Sequence, residues 1–122
     1  MRPKRPVNLD LRTIHFPLAA LASITHRVSG VIVFLGTAGL LYLLDLSLTS
    51  EQGFASLRAI GPLAKFLTWG VLAALAFHTV AGIRHLFLDL GMGESREGGP
   101  RTALAAFIVS AVLIVLLGIW LW

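Results

Sequence analysis

Two short stretches of this chain set hydrogen-bonding and metal-ligating side chains among apolar neighbours. The first reads Ser23-Ile24-Thr25-His26-Arg27-Val28-Ser29-Gly30. Ser23 and Arg27 are four residues apart, so on a helix they share a face, one turn from each other. His26 lies one position around. A hydroxyl, a guanidinium and a nearby imidazole can hydrogen-bond a carbonyl ligand or stabilise an anion. A structural reading also fits: Arg27 snorkels to the membrane interface and Ser23 bonds its own helix backbone. Against that, Arg27 falls roughly three turns after Pro17, deeper than a terminal snorkelling residue.

The second stretch reads His78-Thr79-Val80-Ala81-Gly82-Ile83-Arg84-His85. Neutral imidazole is a good iron ligand. His78 lies about 15 Å along the helix from its end near Leu88. Gly70, Ala74 and Gly82 share its face, each four apart. Such a flat stripe could carry a porphyrin, with His78 reaching the iron. It could equally be a small-residue surface for helix packing, with His78 hydrogen-bonding across it. His85, seven residues on, reads as an interfacial histidine rather than a ligand. Arg84 and Asp89 read as a solvated or interfacial helix end.

A polar group in a hydrocarbon-facing helix costs free energy, so the elements around these clusters matter. Hydrophobic residues make up 57% of the chain and charged residues 13%. A soluble domain of this size has too much surface for that balance. The apolar residues are also grouped into long runs, and crossing a bilayer takes about 20 of them. The sequence predicts an all-α membrane protein of three transmembrane helices, forming one anchor domain over residues 1–122. The spans are approximately 16–48, 62–88 and 102–122, after a polar N-terminal segment at 1–15. The first run is interrupted by Thr25-His26-Arg27 and by Asp45. It is too long for a secretory signal peptide, and further spans follow. Thr49–Gly61 and Gly91–Arg101 read as short surface loops. With no cysteine, thiolate metal sites, iron–sulfur ligation and cysteine nucleophiles are excluded in this chain.

The net charge of +4 follows from basic residues placed unevenly. Arg2, Lys4, Arg5, Arg12, Arg27, Arg84, Arg96 and Arg101 fall on the N-terminal side or in the second loop and its flanks. Arg58 and Lys65 flank the first loop. By the positive-inside rule the N-terminus is cytoplasmic and the C-terminus periplasmic. The basic balance therefore reads as contact with lipid and not with nucleic acid. Trp120 and Trp122 suit an interfacial aromatic belt.

These residues resemble a known family. Arg5-Pro6-Val7-Asn8-Leu9-Asp10-Leu11, followed by Ser23-x-x-His26-Arg27-x-Ser29-Gly30, is similar to the cytochrome b subunit of bacterial succinate dehydrogenase, the larger membrane anchor of respiratory complex II. So is His78-x-x-x-Gly82-Ile83-Arg84-His85-x-x-x-Asp89. The likeness covers residues 5–30 and 68–91 well, and elsewhere extends only to hydropathy. Leu88 departs from the aromatic residue or Met that many members carry before the Asp.

The resemblance implies a location in the bacterial inner membrane and an assembly of four subunits. Two anchors hold a flavoprotein and an iron–sulfur subunit against the cytoplasmic face, and electrons from succinate pass through the clusters to ubiquinone. One haem b sits between the anchors, with one axial histidine from each. Carried over by residue, His78 is the haem-iron ligand, Ser23 and Arg27 belong to the ubiquinone pocket, and His26 and Arg27 lie near the haem propionates. Ser23 would hydrogen-bond a quinone oxygen, and Arg27 would favour negative charge developing there. The chain would be a non-autonomous subunit, with no succinate-oxidising site. Three alternatives stand beside this reading. One is the anchor of a quinol:fumarate reductase. Another is a cofactor-free structural or assembly membrane protein. The third is a different haem–quinone subunit, such as that of a formate dehydrogenase, which usually supplies both axial histidines itself.

Overall fold

The computed structural model of the protein describes residues 6–93 and 95–122. Arg2, Lys4 and Arg5, part of the charge count and of the first motif, lie outside the described residues. The regular structure of the described residues is wholly helical: α1 (Leu18–Thr49), α2 (Glu51–Arg58), α3 (Pro62–Asp89) and α4 (Gly98–Leu121). Three of these, α1, α3 and α4, are long and apolar enough to cross a membrane. At 1.5 Å per residue, α1 is about 48 Å long, more than a hydrocarbon core of about 30 Å, so it must tilt or extend beyond it.

Helix starts follow from local chemistry. Pro17 cannot donate, and its carbonyl accepts from Ala20 and Leu21 to open α1. Pro62 occupies the first turn of α3, where a missing N–H costs nothing. Two glycines at positive φ, Gly91 (77°) and Gly93 (83°), turn the chain after α3. The fourth helix then begins at Gly98, ahead of the expected span, because Pro100 falls in its first turn and does not interrupt it.

The first loop differs from expectation. Residues 51–58 form a helix, capped by the Ser50 hydroxyl accepting from the Gly53 N–H at 3.0 Å. Glu51 in the first turn and Arg58 in the last suit the helix dipole. The Arg58 guanidinium lies over the Phe54 ring, 5.1 Å from its centroid.

α3 packs against both α1 and α4, and α1 also touches α4. Small residues dominate the seams: Ala22, Ala81, Ala103 and Ala106 are buried, with Phe77 beside them. Close backbone approach is how helices associate in lipid, where apolar burial between helices offers little gain. Phe77 meets Phe107 of α4 at 5.4 Å between centroids, and the Trp69 indole donates to the Ile114 carbonyl at 3.1 Å. Large apolar side chains such as Phe34 and Ile119 point outward, as in a bundle bathed in lipid.

The topology sorts the charges. The start of α1, the end of α3 and the start of α4 share one end of the bundle, shown by contacts of His26 with His85 and of Arg84 with Gly99. Arg58, Lys65 and Trp120 line one cleft at the other end.

Candidate functional site: a histidine cluster on the α1–α3 seam

Three histidines meet where α1 crosses α3. The rings of His26 and His78 are stacked, 4.2 Å between centroids and 13° between planes. His85, two turns along α3 from His78, tilts against the other side of His26 at 4.9 Å. Glycines make this possible. Gly30, one turn past His26, faces the His78 ring, and Gly82, one turn past His78, faces the His26 ring.

Polar contacts fix the orientation of His78. Its Nδ1 lies 3.1 Å from the His26 carbonyl and 3.2 Å from Ser29 Oγ. The buried Ser29 hydroxyl donates to that same carbonyl at 2.7 Å. Among the described residues Nε2 of His78 makes no bond and is not enclosed, whereas Nε2 of His26 is enclosed and has no partner. The expected site residues therefore fall into two groups. His26 and His78 come together, joined by Ser29 and His85, which the spacing had not marked as partners.

Ser23 and Arg27 stand one turn apart on α1, Ser23 half-buried and Arg27 exposed. No hydrogen bond ties either to the histidines among the described residues. Nor does Ser23 bond its own helix backbone, the structural role open to it. Thr37, Ser47, Thr68, Thr79 and Ser110 all make that bond. Thr25 shares the free state but is exposed.

The small-residue stripe on α3 is not a bare platform. Gly82 is covered by His26, whose Nε2 would lie 3.6 Å from an added Cβ, while Gly70 faces open space. A second correction concerns Arg84. It is not a solvated helix end: it is 8% exposed, with Nε donating to Thr102 Oγ1 and Nη2 to the Gly99 carbonyl, both at 3.1 Å. The guanidinium thus ties α3 to the first turn of α4. His85 is half-buried on the histidine seam, while Asp89 is exposed as expected.

Comparison with known proteins bears on this arrangement. The chain is 44% identical to the succinate dehydrogenase cytochrome b556 subunit of Coxiella burnetii, over 100% of both chains. It is 33% identical to the subunit of that name from Paracoccus denitrificans, over 94% of this chain and 90% of the relative. For Rickettsia felis the identity is 32%, over 93% and 90%. The model of the succinate dehydrogenase/fumarate reductase transmembrane subunit family matches residues 1–117. A bundle with three helices able to cross a membrane, matched along nearly its whole length, therefore belongs to that family and groups with its cytochrome b556 subunits.

Proposed function

We propose that this chain is the cytochrome b anchor of a succinate:ubiquinone oxidoreductase of the bacterial inner membrane. In this reading its N-terminus is cytoplasmic. It assembles with a second anchor, an iron–sulfur subunit and a flavoprotein, and it contributes to a ubiquinone-reduction site. The relatives' names support a succinate dehydrogenase subunit, and the word cytochrome in them supports a haem.

The observation that carries the reading is the setting of His78. Its imidazole is held by Nδ1, and among the described residues its Nε2 is unbonded and accessible. A metal-bound histidine typically shows this division, with the second ring nitrogen engaged by an oriented acceptor. The donor set fits one half of a two-histidine haem site, whose other histidine the second anchor would supply. When bound, a b-type haem would supply a one-electron station, and His78 would hold it. Arg27, exposed at the same end of the bundle, would offer N–H donors to its propionates, with His26 in their vicinity. Ser23, whose hydroxyl makes no bond among the described residues, is available to a quinone oxygen, and Arg27 places positive charge one turn away.

The test is His78→Ala in the assembled four-subunit complex. The b-type signal in a reduced-minus-oxidised spectrum should be lost or displaced, while His85→Ala keeps axial ligation. A wild-type spectrum in His78→Ala would sink the assignment.

A further inference from the structure

We propose that Ser29 is a positioning residue for the haem ligand, setting the tautomer of His78 and the donor strength of its Nε2. The inference rests on His78 as the axial ligand and goes beyond it. It follows from counting protons in a three-membered network. The His26 carbonyl can only accept, and it takes the single Ser29 hydroxyl proton at 2.7 Å. Ser29 Oγ therefore turns its lone pairs toward His78. The nitrogen facing both oxygens is His78 Nδ1, 3.2 Å from Oγ and 3.1 Å from the carbonyl. Two acceptors and no other donor leave one arrangement: Nδ1 carries the proton and Nε2 carries the lone pair. The ring is thus supplied in the tautomer that binds iron through Nε2.

Burial gives Ser29 its leverage. It is 4% exposed, so water does not compete with its hydroxyl. The His26 carbonyl can serve two donors besides its helix because the ring comes in over Gly30, where there is no Cβ. Acceptors on Nδ1–H push electron density onto Nε2 and make it a stronger donor to iron. A stronger donor favours ferric over ferrous iron. Ser29 therefore lowers the haem potential and tightens haem retention, without touching iron or quinone.

The experiment uses the purified four-subunit complex and three variants: Ser29→Ala, Ser29→Thr and His78→Ala. The readout is the reduced fraction of haem with the solution poised at the wild-type midpoint, together with the haem-to-flavin ratio. In Ser29→Ala the carbonyl still holds Nδ1, so haem remains, but its reduced fraction should rise clearly above one half. Haem loss on dilution should be about 10-fold greater, the lower end for removing such a partner. Ser29→Thr, which keeps the hydroxyl, should return both toward wild type. Complete haem loss in Ser29→Ala, reversed in Ser29→Thr, supports the same role. A wild-type midpoint and haem content in Ser29→Ala overturns it, as does a defect in Ser29→Ala that Ser29→Thr does not reverse. An unchanged spectrum in His78→Ala overturns the ligand assignment itself, a failure distinct from that of Ser29.

Discussion

Gly30 on α1 and the imidazole of His78 on α3 face each other so closely that a Cβ built on Gly30 would lie 2.9 Å from His78 Cε1. The reciprocal pair is looser: a Cβ on Gly82 would lie 3.6 Å from His26 Nε2, an ordinary contact. The asymmetry makes a differential prediction. Gly30→Ala must displace the His78 ring from Ser29 and the His26 carbonyl, so it should lower haem content or alter the haem spectrum. Gly82→Ala should leave both near wild type, because its neighbour is already at contact distance. The measurement is haem per flavin in purified complex. Equal retention in the two variants would show that the seam adjusts freely and that Gly30 does not fix the ring.

Arg84 sits on a different face of α3 and gives a prediction about stability. Its fork reaches Thr102 and Gly99 at once. A hydrogen bond to a charged group contributes about 1.5–3 kcal/mol. Arg84→Leu should therefore reduce thermal stability of the complex clearly, though by less than the sum of two bonds. The Gly99 carbonyl keeps the Thr102 hydroxyl as a donor, at 3.1 Å, so it is not orphaned. Arg84→Lys keeps the charge but not the fork and should recover only part of the loss. In the Arg84→Leu background, Thr102→Val should add a further loss, since it removes the remaining side-chain donor to the Gly99 carbonyl, and a double-mutant cycle reads the coupling of the pair. Inactivation temperatures of the purified complexes decide it, and wild-type temperatures in both Arg84 variants would remove the clamp.

The spans were legible because bilayer thickness imposes a long apolar run on any crossing helix. Their ends moved by only a few residues, for reasons local chemistry supplies. The helix over 51–58 was missed because a Ser/Gly-containing segment looks like a loop by composition. The signal was positional: Ser50 as a cap, Glu51 in the first turn and Arg58 in the last. The site was half legible. Depth singled out His78 and hydropathy singled out His26, but their partnership needed both helices read together. His26-x-x-x-Gly30 and His78-x-x-x-Gly82 are the same pattern on antiparallel helices, each glycine admitting the other's ring. Arg84 was misread because depth along α3 says nothing about the neighbouring helix, and its acceptors come from the start of α4.

Orientation rests on charge placement, and the fold sharpens its test. Arg27, Arg84 and Arg101 belong to one end of the bundle and Arg58 and Lys65 to the other. A reporter that works only outside the cytoplasm, fused after Trp122, is expected to be active. Activity of a cytoplasm-only reporter at that position would invert the assignment.

Ser23 and Arg27 carry the last prediction. They are one turn apart on α1, neither is engaged by the protein among the described residues, and both lie toward the end of the bundle that holds His85 and Arg84. One small ligand could touch both. Ser23→Ala removes a single hydrogen bond to that ligand, typically about 0.5–1.5 kcal/mol, or up to roughly tenfold in its affinity. Arg27→Leu removes charge as well and should be the more damaging. Succinate oxidation with a soluble acceptor that bypasses quinone should be nearly unchanged in both variants, since the proposed assembly puts the dicarboxylate site in another subunit. Quinone reduction should fall, more in Arg27→Leu than in Ser23→Ala. Subunit ratios and haem content must be wild type in both for the comparison to count. With assembly intact, wild-type quinone reduction in both variants would return the pair to a structural role.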